Sequence, residues 1–168
     1  MPAVNPHPAA RSAQSAVPLQ ARGVVCTCFK LRSLARRVTQ LYDQTLAPSG
    51  LKVTQYSVMV HARRRAGALP PTVSELAQWL FTDRTTLTRN LKPLVEAGLI
   101  NIDNGADARS KAITVTAAGE AAYQAARPLW KSAQERMREL AGDRHLDDLH
   151  QLIEIMLPQL DTGETADA

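Results

Sequence analysis

The chain predicts a mainly α fold carrying one small β-hairpin, on three observations. A short helical stretch at 72–80 is followed, after a brief turn, by a second at 82–97. Strand-like apolar alternation then occupies 99–102 and 112–116, on either side of a tip containing Asn104-Gly105. Long amphipathic stripes flank this block at both ends. Helix, turn, helix and hairpin in that order make a winged helix-turn-helix, an arrangement that sets one helix in the DNA major groove with the hairpin beside it.

The elements follow one by one. Residues 1–22 hold Pro2, Pro6, Pro8 and Pro18 among Ala, Ser and Gln. Too little apolar surface is present to offset ordering, so a disordered tail is expected. Between about 24 and 47, Leu31, Leu34, Val38, Leu41 and Thr45/Leu46 step by three and four, one stripe of a long helix. Pro48-Ser-Gly50 ends it. Thr54 is the expected cap of a second helix, stopped at Gly67. Thr72 or Ser74 caps the third, and Gly98 sits just past the fourth as a C′ glycine. Pro93 falls inside that fourth helix and removes the bond to the Arg89 carbonyl; helical spacing of Leu87, Leu91 and Leu94 across it predicts a bend and not a break. Asn104-Gly105 suits a tight hairpin turn.

Thr116 caps a long helix reaching about 141, kinked at Pro128. After Gly142, a last helix places Leu146, Leu149, Ile153, Met156 and Leu160 at a coiled-coil-like spacing. The expected organisation is a tail at 1–22, an N-terminal dimerisation helix at 23–50, a winged-helix domain at 51–116, C-terminal dimerisation helices at 117–162, and a flexible end at 163–168. Apolar faces on the flanking helices point to intersubunit packing, and a two-fold dimer matches palindromic DNA.

Charge supports a polyanionic partner for the centre alone. Residues 30–111 carry 13 Lys/Arg against 6 Asp/Glu, whereas residues 112–168 carry 5 against 10. No apolar run approaches the ~18 residues of a membrane span, and no continuous apolar stretch near the start reads as a secretion signal. Two cysteines, Cys26 and Cys28, do not make a disulfide framework, and a cytoplasmic location fits.

The candidate DNA-reading residues lie off the buried leucine stripe of the fourth helix. Arg84, Thr85, Thr86 and Thr88, near its N-terminus, are placed to meet base edges or phosphates; Arg pairs bidentately with guanine and the Thr methyl meets a thymine methyl. Arg89 and Lys92 suit phosphates, which set register. The helix N-terminus can donate backbone N–H groups to a phosphate as well. On the hairpin, Arg109 beside Asp107 suits a narrow minor groove, with Lys111 close by.

In these motifs the chain closely resembles the MarR family of bacterial transcription regulators. The matching pieces are Val73-Ser-Glu-Leu-Ala77, Asp83-Arg-Thr-Thr-Leu-Thr-Arg-Asn-Leu91, Leu94-Val-Glu-Ala-Gly-Leu99, Asp107-Ala-Arg109 and Val115-Thr-Ala-Ala-Gly119. With the flanking helices they span about 24–160. The resemblance implies a homodimer with interlocking terminal helices, bound to a near-palindromic double-stranded operator. It implies a repressor released by a small-molecule effector or an oxidant. Ala108 departs from the family's wing pattern, where Arg or Lys is common, leaving Arg109 to carry that contact.

Two switches fit the resemblance. The first is a small aromatic or anionic ligand held between reader and dimerisation helices, with Arg32, Tyr42, His61 and Trp79 as candidate pocket residues. The alternative is a thiol switch. Cys28 matches by position the reactive cysteine of the family's organic-hydroperoxide-sensing branch, and Tyr42 one of its tyrosines, while Arg32 and Val53 stand where other tyrosines are expected. Cys28 and Tyr42 are separated by about 21 Å along one helix, so they could meet only between subunits. Arg32, one turn after Cys28, could favour its thiolate. Cys26 is the second redox candidate; on one helix it would point about 200° away from Cys28. An effector-independent architectural DNA-binding dimer is a third reading.

An enzyme is not indicated. The chain has no Gly-x-Ser-x-Gly elbow, no phosphate-binding glycine loop and no His-Glu-x-x-His helix. His145 and His150 are five apart and do not share a helical face, so no metal site is expected. No catalytic residue, metal or cofactor is assigned.

Overall fold

A computed structural model of the chain describes residues 26–63, 69–105 and 110–160. Among the described residues the elements are α1 (Thr27–Leu46), α2 (Val53–Arg63), α3 (Val73–Trp79), α4 (Arg84–Glu96), β1 (Ile100–Asn104), β2 (Lys111–Val115), α5 (Ala117–Ala141) and α6 (Asp143–Leu160), with a 3₁₀ turn at Ala47–Ser49. The fold is mainly helical with a two-stranded antiparallel wing. The tails expected at 1–22 and 163–168, and the Gly67 stop of α2, lie outside the described residues.

Two compact units divide the chain, Met1–Arg37 and Val38–Ala168. In the first, the described part is Cys26 and the opening turns of α1, where Arg36 Nη2 donates to Ser33 Oγ at 3.2 Å and Phe29, Leu31 and Leu34 are exposed. The second unit contains the core. Leu87, Leu91 and Leu94, one stripe of α4, are fully buried with Leu76 of α3, Met59 of α2, Ile100 of β1 and Ile113 of β2. Each such side chain contributes about 1.5–3 kcal/mol on burial. That packing, more than helix propensity, holds a 13-residue α4 that would be marginal alone.

Local signals set most element ends. Thr72 closes a complete capping box: its hydroxyl accepts from Glu75 N–H at 3.2 Å, and the Glu75 carboxylate accepts from Thr72 N–H at 2.8 Å. Thr72 also bridges Ala112, while Ile113 N–H donates to the Pro71 carbonyl at 2.9 Å, so the start of α3 is stitched to the wing. The α4 helix is unbroken through Pro93, as its leucine spacing required.

Two expectations change. Thr54 does not cap α2; the helix starts at Val53, whose N–H donates to Asp43 Oδ1 of α1 at 2.7 Å. Asp43 is ten residues upstream, so no local motif could reveal it. Asn104-Gly105 is not a tight turn either. Asn104 is the last residue of β1, paired with Lys111, and the Gly105 N–H donates to the Ser110 carbonyl at 2.9 Å, so the chain does not reverse at these two residues.

The junction from α4 to α5 is closely fitted. Gly98 takes φ +66° and completes a Schellman motif, with Leu99 N–H on the Leu94 carbonyl and Gly98 N–H on the Val95 carbonyl, both at 2.9 Å. Thr116 caps α5 by accepting from Gly119 N–H at 3.0 Å, and its hydroxyl donates to the Gly98 carbonyl at 2.7 Å. A Cβ on Gly119 would lie 2.0 Å from the Leu99 carbonyl oxygen, so only glycine lets the helix start this close to the strand.

Packing also ties α2 to α5. Tyr56 stacks on Tyr123 (centroids 5.4 Å) and Trp130 (5.8 Å), and the Arg63 guanidinium sits 3.9 Å over the Tyr123 ring while pairing with the Glu120 carboxylate. Burial pushes the Tyr56 phenol up to about 12, helped by its hydrogen bond with Tyr123. This ladder spans 67 to 74 residues of sequence between partners on α2 and α5 and gives no local sign of itself.

Candidate nucleic-acid interface

The outer face of α4 is built by its own burial stripe. With Leu87, Leu91 and Leu94 turned into the core, the 3.6-residue period leaves Arg84, Thr85, Thr86, Thr88, Arg89 and Lys92 exposed. No carboxylate among the described residues pairs with Arg84 or Arg89, and Lys92 makes one exposed pair with Glu96 at 3.8 Å. Such an exposed pair is worth little and is readily exchanged for a phosphate. The Thr88 hydroxyl donates to the Arg84 carbonyl at 2.8 Å, which leaves the methyl as its unengaged group.

The N-terminus of α4 differs from expectation. Asp83 is the N-cap, and its Oδ1 accepts from Thr86 N–H at 2.8 Å. Hydrogen bonds from Thr86 hold the Asp83 carboxyl below its ordinary value of 3.8. A backbone donor expected for phosphate is therefore engaged within the chain, and the carboxylate adds negative charge there.

On the wing, Lys111 is exposed and its Nζ donates to Asn104 Oδ1 at 2.8 Å across the hairpin. Arg109, with Asp107 and Ala108, lies outside the described residues.

The turn between α3 and α4 contains the unusual backbone of the site. Phe81 has φ +48°, the one non-glycine residue with positive φ among those described, and it is 70% exposed. Its conformation is imposed by a second Schellman motif: Thr82 N–H reaches the Ala77 carbonyl at 3.0 Å and Phe81 N–H the Gln78 carbonyl at 3.1 Å. Beside this turn lies a cavity of about 340 Å³ between α2 and α4, with Val58 and Leu87 at its apolar base.

None of the four residues nominated for an effector pocket lines that cavity. Arg32 is exposed in the first unit. Tyr42 is buried, which raises its phenol pKa, offset in part by Arg138. His61 Nδ1 bonds to the Ser57 carbonyl of its own helix at 2.8 Å, and Trp79 packs against the core. Sequence reasoning missed the cavity because its walls come from two separated helices and a turn.

The transcriptional regulator MosR of M. tuberculosis, solved in complex with DNA, is similar over nearly all of its length. It shares 40% identity and a TM-score of 0.65, with 79% of this chain and 98% of that one covered. The chain belongs to the MarR family of winged helix-turn-helix transcriptional regulators. The regulator is also similar to YwoH of Bacillus subtilis, an HTH-type transcriptional regulator, at 30% identity over 95 residues, 56% of this chain and 67% of that one. A MarR-family regulator from Rhodococcus sp. RHA1 shares the fold, with a TM-score of 0.67 at 24% identity over 86% of this chain and 98% of that one. No protein-family model matches the chain. Among the described residues, no helix is long and apolar enough to cross a membrane.

Proposed function

We propose that this regulator is a homodimeric repressor that grips a near-palindromic duplex operator through α4 and the wing and is released when a small aromatic ligand binds. The observation that carries the reading is the outer face of α4. Six polar or cationic side chains, Arg84 to Lys92, stand exposed opposite three fully buried leucines. That places guanidinium and hydroxyl groups on a rigid helix wide enough apart to meet bases and phosphates together. The DNA complex of MosR supports the same use of the fold. Dimerisation is supported by α6, where Leu152, Ile153, Ile155, Met156 and Leu160 are exposed and no residue is buried. A helix this apolar and uncovered calls for a partner surface.

The test is binding of the purified protein to its own upstream DNA over a range of salt. Arg89→Ala is expected to weaken binding and to reduce the salt slope by about one unit, as is Arg109→Ala on the wing. An unchanged slope in both variants would sink the assignment of these residues to phosphates.

A thiol switch is the second reading, favoured by one observation. Cys26 and Cys28 are both free and exposed, Cys26 just ahead of α1 with its carbonyl accepting from Lys30 N–H at 3.1 Å and Cys28 in the first turn. Stoichiometric organic hydroperoxide that abolishes DNA binding in the parent protein but not in Cys28→Ser would establish it. An oxidant without effect returns Cys28 to a structural role.

A further inference from the structure

We infer that Phe81 is itself a DNA contact, its ring packing against a thymine methyl in the major groove at the margin of the bases met by α4. The inference rests on the reading of α4 as the helix that enters the groove, and adds to it an apolar contact from the turn before that helix.

The fold gives little reason for an aromatic residue here. The Schellman bonds that close α3 call for a left-handed residue at this position, and Phe81 holds φ +48°. Glycine takes that conformation without steric penalty and asparagine tolerates it, whereas a bulky residue is strained. The equivalent position after α4 is Gly98, at φ +66°. Burial does not compensate, since Phe81 is exposed while Leu80 and Thr82 on either side are partly buried. A strained backbone that carries an apolar ring into water marks a segment with a task beyond folding.

Position and chemistry name the task. Phe81 comes three residues before Arg84, the first residue of α4. Their Cα atoms are therefore no more than about 11 Å apart, within the ~12 Å width of the major groove. Phe81 also lines the same cavity as Thr86 and Asn90, which puts it on the flank of α4 beside a residue of the exposed face. Arg84, Thr85, Thr86 and Thr88 offer charge and hydrogen bonds to DNA. The ring offers neither. Its complement on a base edge is the C5-methyl of thymine, an apolar group in the major groove that phenylalanine meets by direct contact. Excluding water from one methyl is worth about a fourfold change in affinity.

The experiment uses the full chain and a duplex bearing its upstream operator, with each thymine of one half-site replaced in turn by deoxyuridine, which lacks only the methyl. Parent, Phe81→Asn and Phe81→Gly are titrated on the whole set. Parent affinity is expected to fall about fourfold at one thymine. Both variants are expected to bind the unmodified duplex several-fold more weakly, and to be indifferent to the methyl at that thymine. Their salt slope should match the parent's, because no charge is removed. Their melting temperatures should not fall, because both residues accept the left-handed backbone. Variants that bind as tightly as the parent would overturn the inference. So would weakened variants that keep the parent's response at every thymine, since the ring would then touch no methyl. Arg89→Ala on the same duplexes separates this contact from the reading beneath it. That variant should weaken binding to all of them alike and lower the slope by about one unit. If it does neither while the Phe81–thymine coupling stands, the phosphate role of α4 fails and the turn contact survives.

Discussion

The chain closes α3 and α4 with the same Schellman hydrogen bonds but with opposite residues. After α4, Gly98 holds φ +66° with open space where a Cβ would stand. After α3, Phe81 holds φ +48° and leaves its ring in solvent. The left-handed conformation is nearly free for glycine and costs other residues about 1–2 kcal/mol. The joint after α4 is therefore relaxed and then locked, since Thr116 and Gly119 clamp Gly98 and Leu99 to α5. The turn after α3 stores strain and borders a cavity. One region fixes the position of the wing; the other reaches the start of α4 through a strained residue.

The sharpest way to break this contrast is at the locked joint. Gly119→Ala drives a methyl into the Leu99 carbonyl, backbone that cannot swing aside, and a loss of about 2–3 kcal/mol is expected in urea unfolding. A loss below about 0.5 kcal/mol would show that α5 can slide away from β1. The paired exchange at the two helix ends comes next, and its signs should differ. Gly98→Ala should destabilise by about 1–2 kcal/mol through backbone conformation alone. Phe81→Gly should stabilise by about 0.5–1 kcal/mol, strain relief less the added freedom of the unfolded chain. If Phe81→Gly also destabilises, the Phe81 ring contributes packing that outweighs its backbone strain.

The smallest effect expected is at the Asp83 cap. Its folded carboxyl value lies below the ordinary 3.8, so its contribution is fully present above that value and fades as pH falls through the lowered one. Asp83→Asn should keep the cap while removing that acid-limb dependence, read by comparing melting temperatures of parent and variant from pH 6 down to pH 2. The same change removes a negative charge from the α4 terminus, and a modest gain in DNA affinity should accompany it at low salt.

Much of this was readable from short stretches of chain. Thr72 with Glu75, Gly98 after Glu96, and Thr116 ahead of Gly119 act within a few residues, so their spacing alone marks the ends of α3, α4 and α5. The α4 leucines likewise imply its exposed face by period. Asp43 on the α2 amide, the Tyr56–Tyr123–Trp130 ladder and the cavity gave no such signal. Residues chosen for an effector pocket by chemical type, such as His61 and Trp79, found local partners within the helix and the core.

The division has a physical reason. Caps, turn glycines and hydrophobic period are short-range properties of the backbone, and they are enough to specify a winged helix with a cationic outer face on α4. Which carboxylate caps α2, what touches Tyr56, and where empty space remains beside Phe81 depend on elements that meet only after the chain has closed on itself. Those features belong to packing, where groups tens of residues apart decide each other's surroundings.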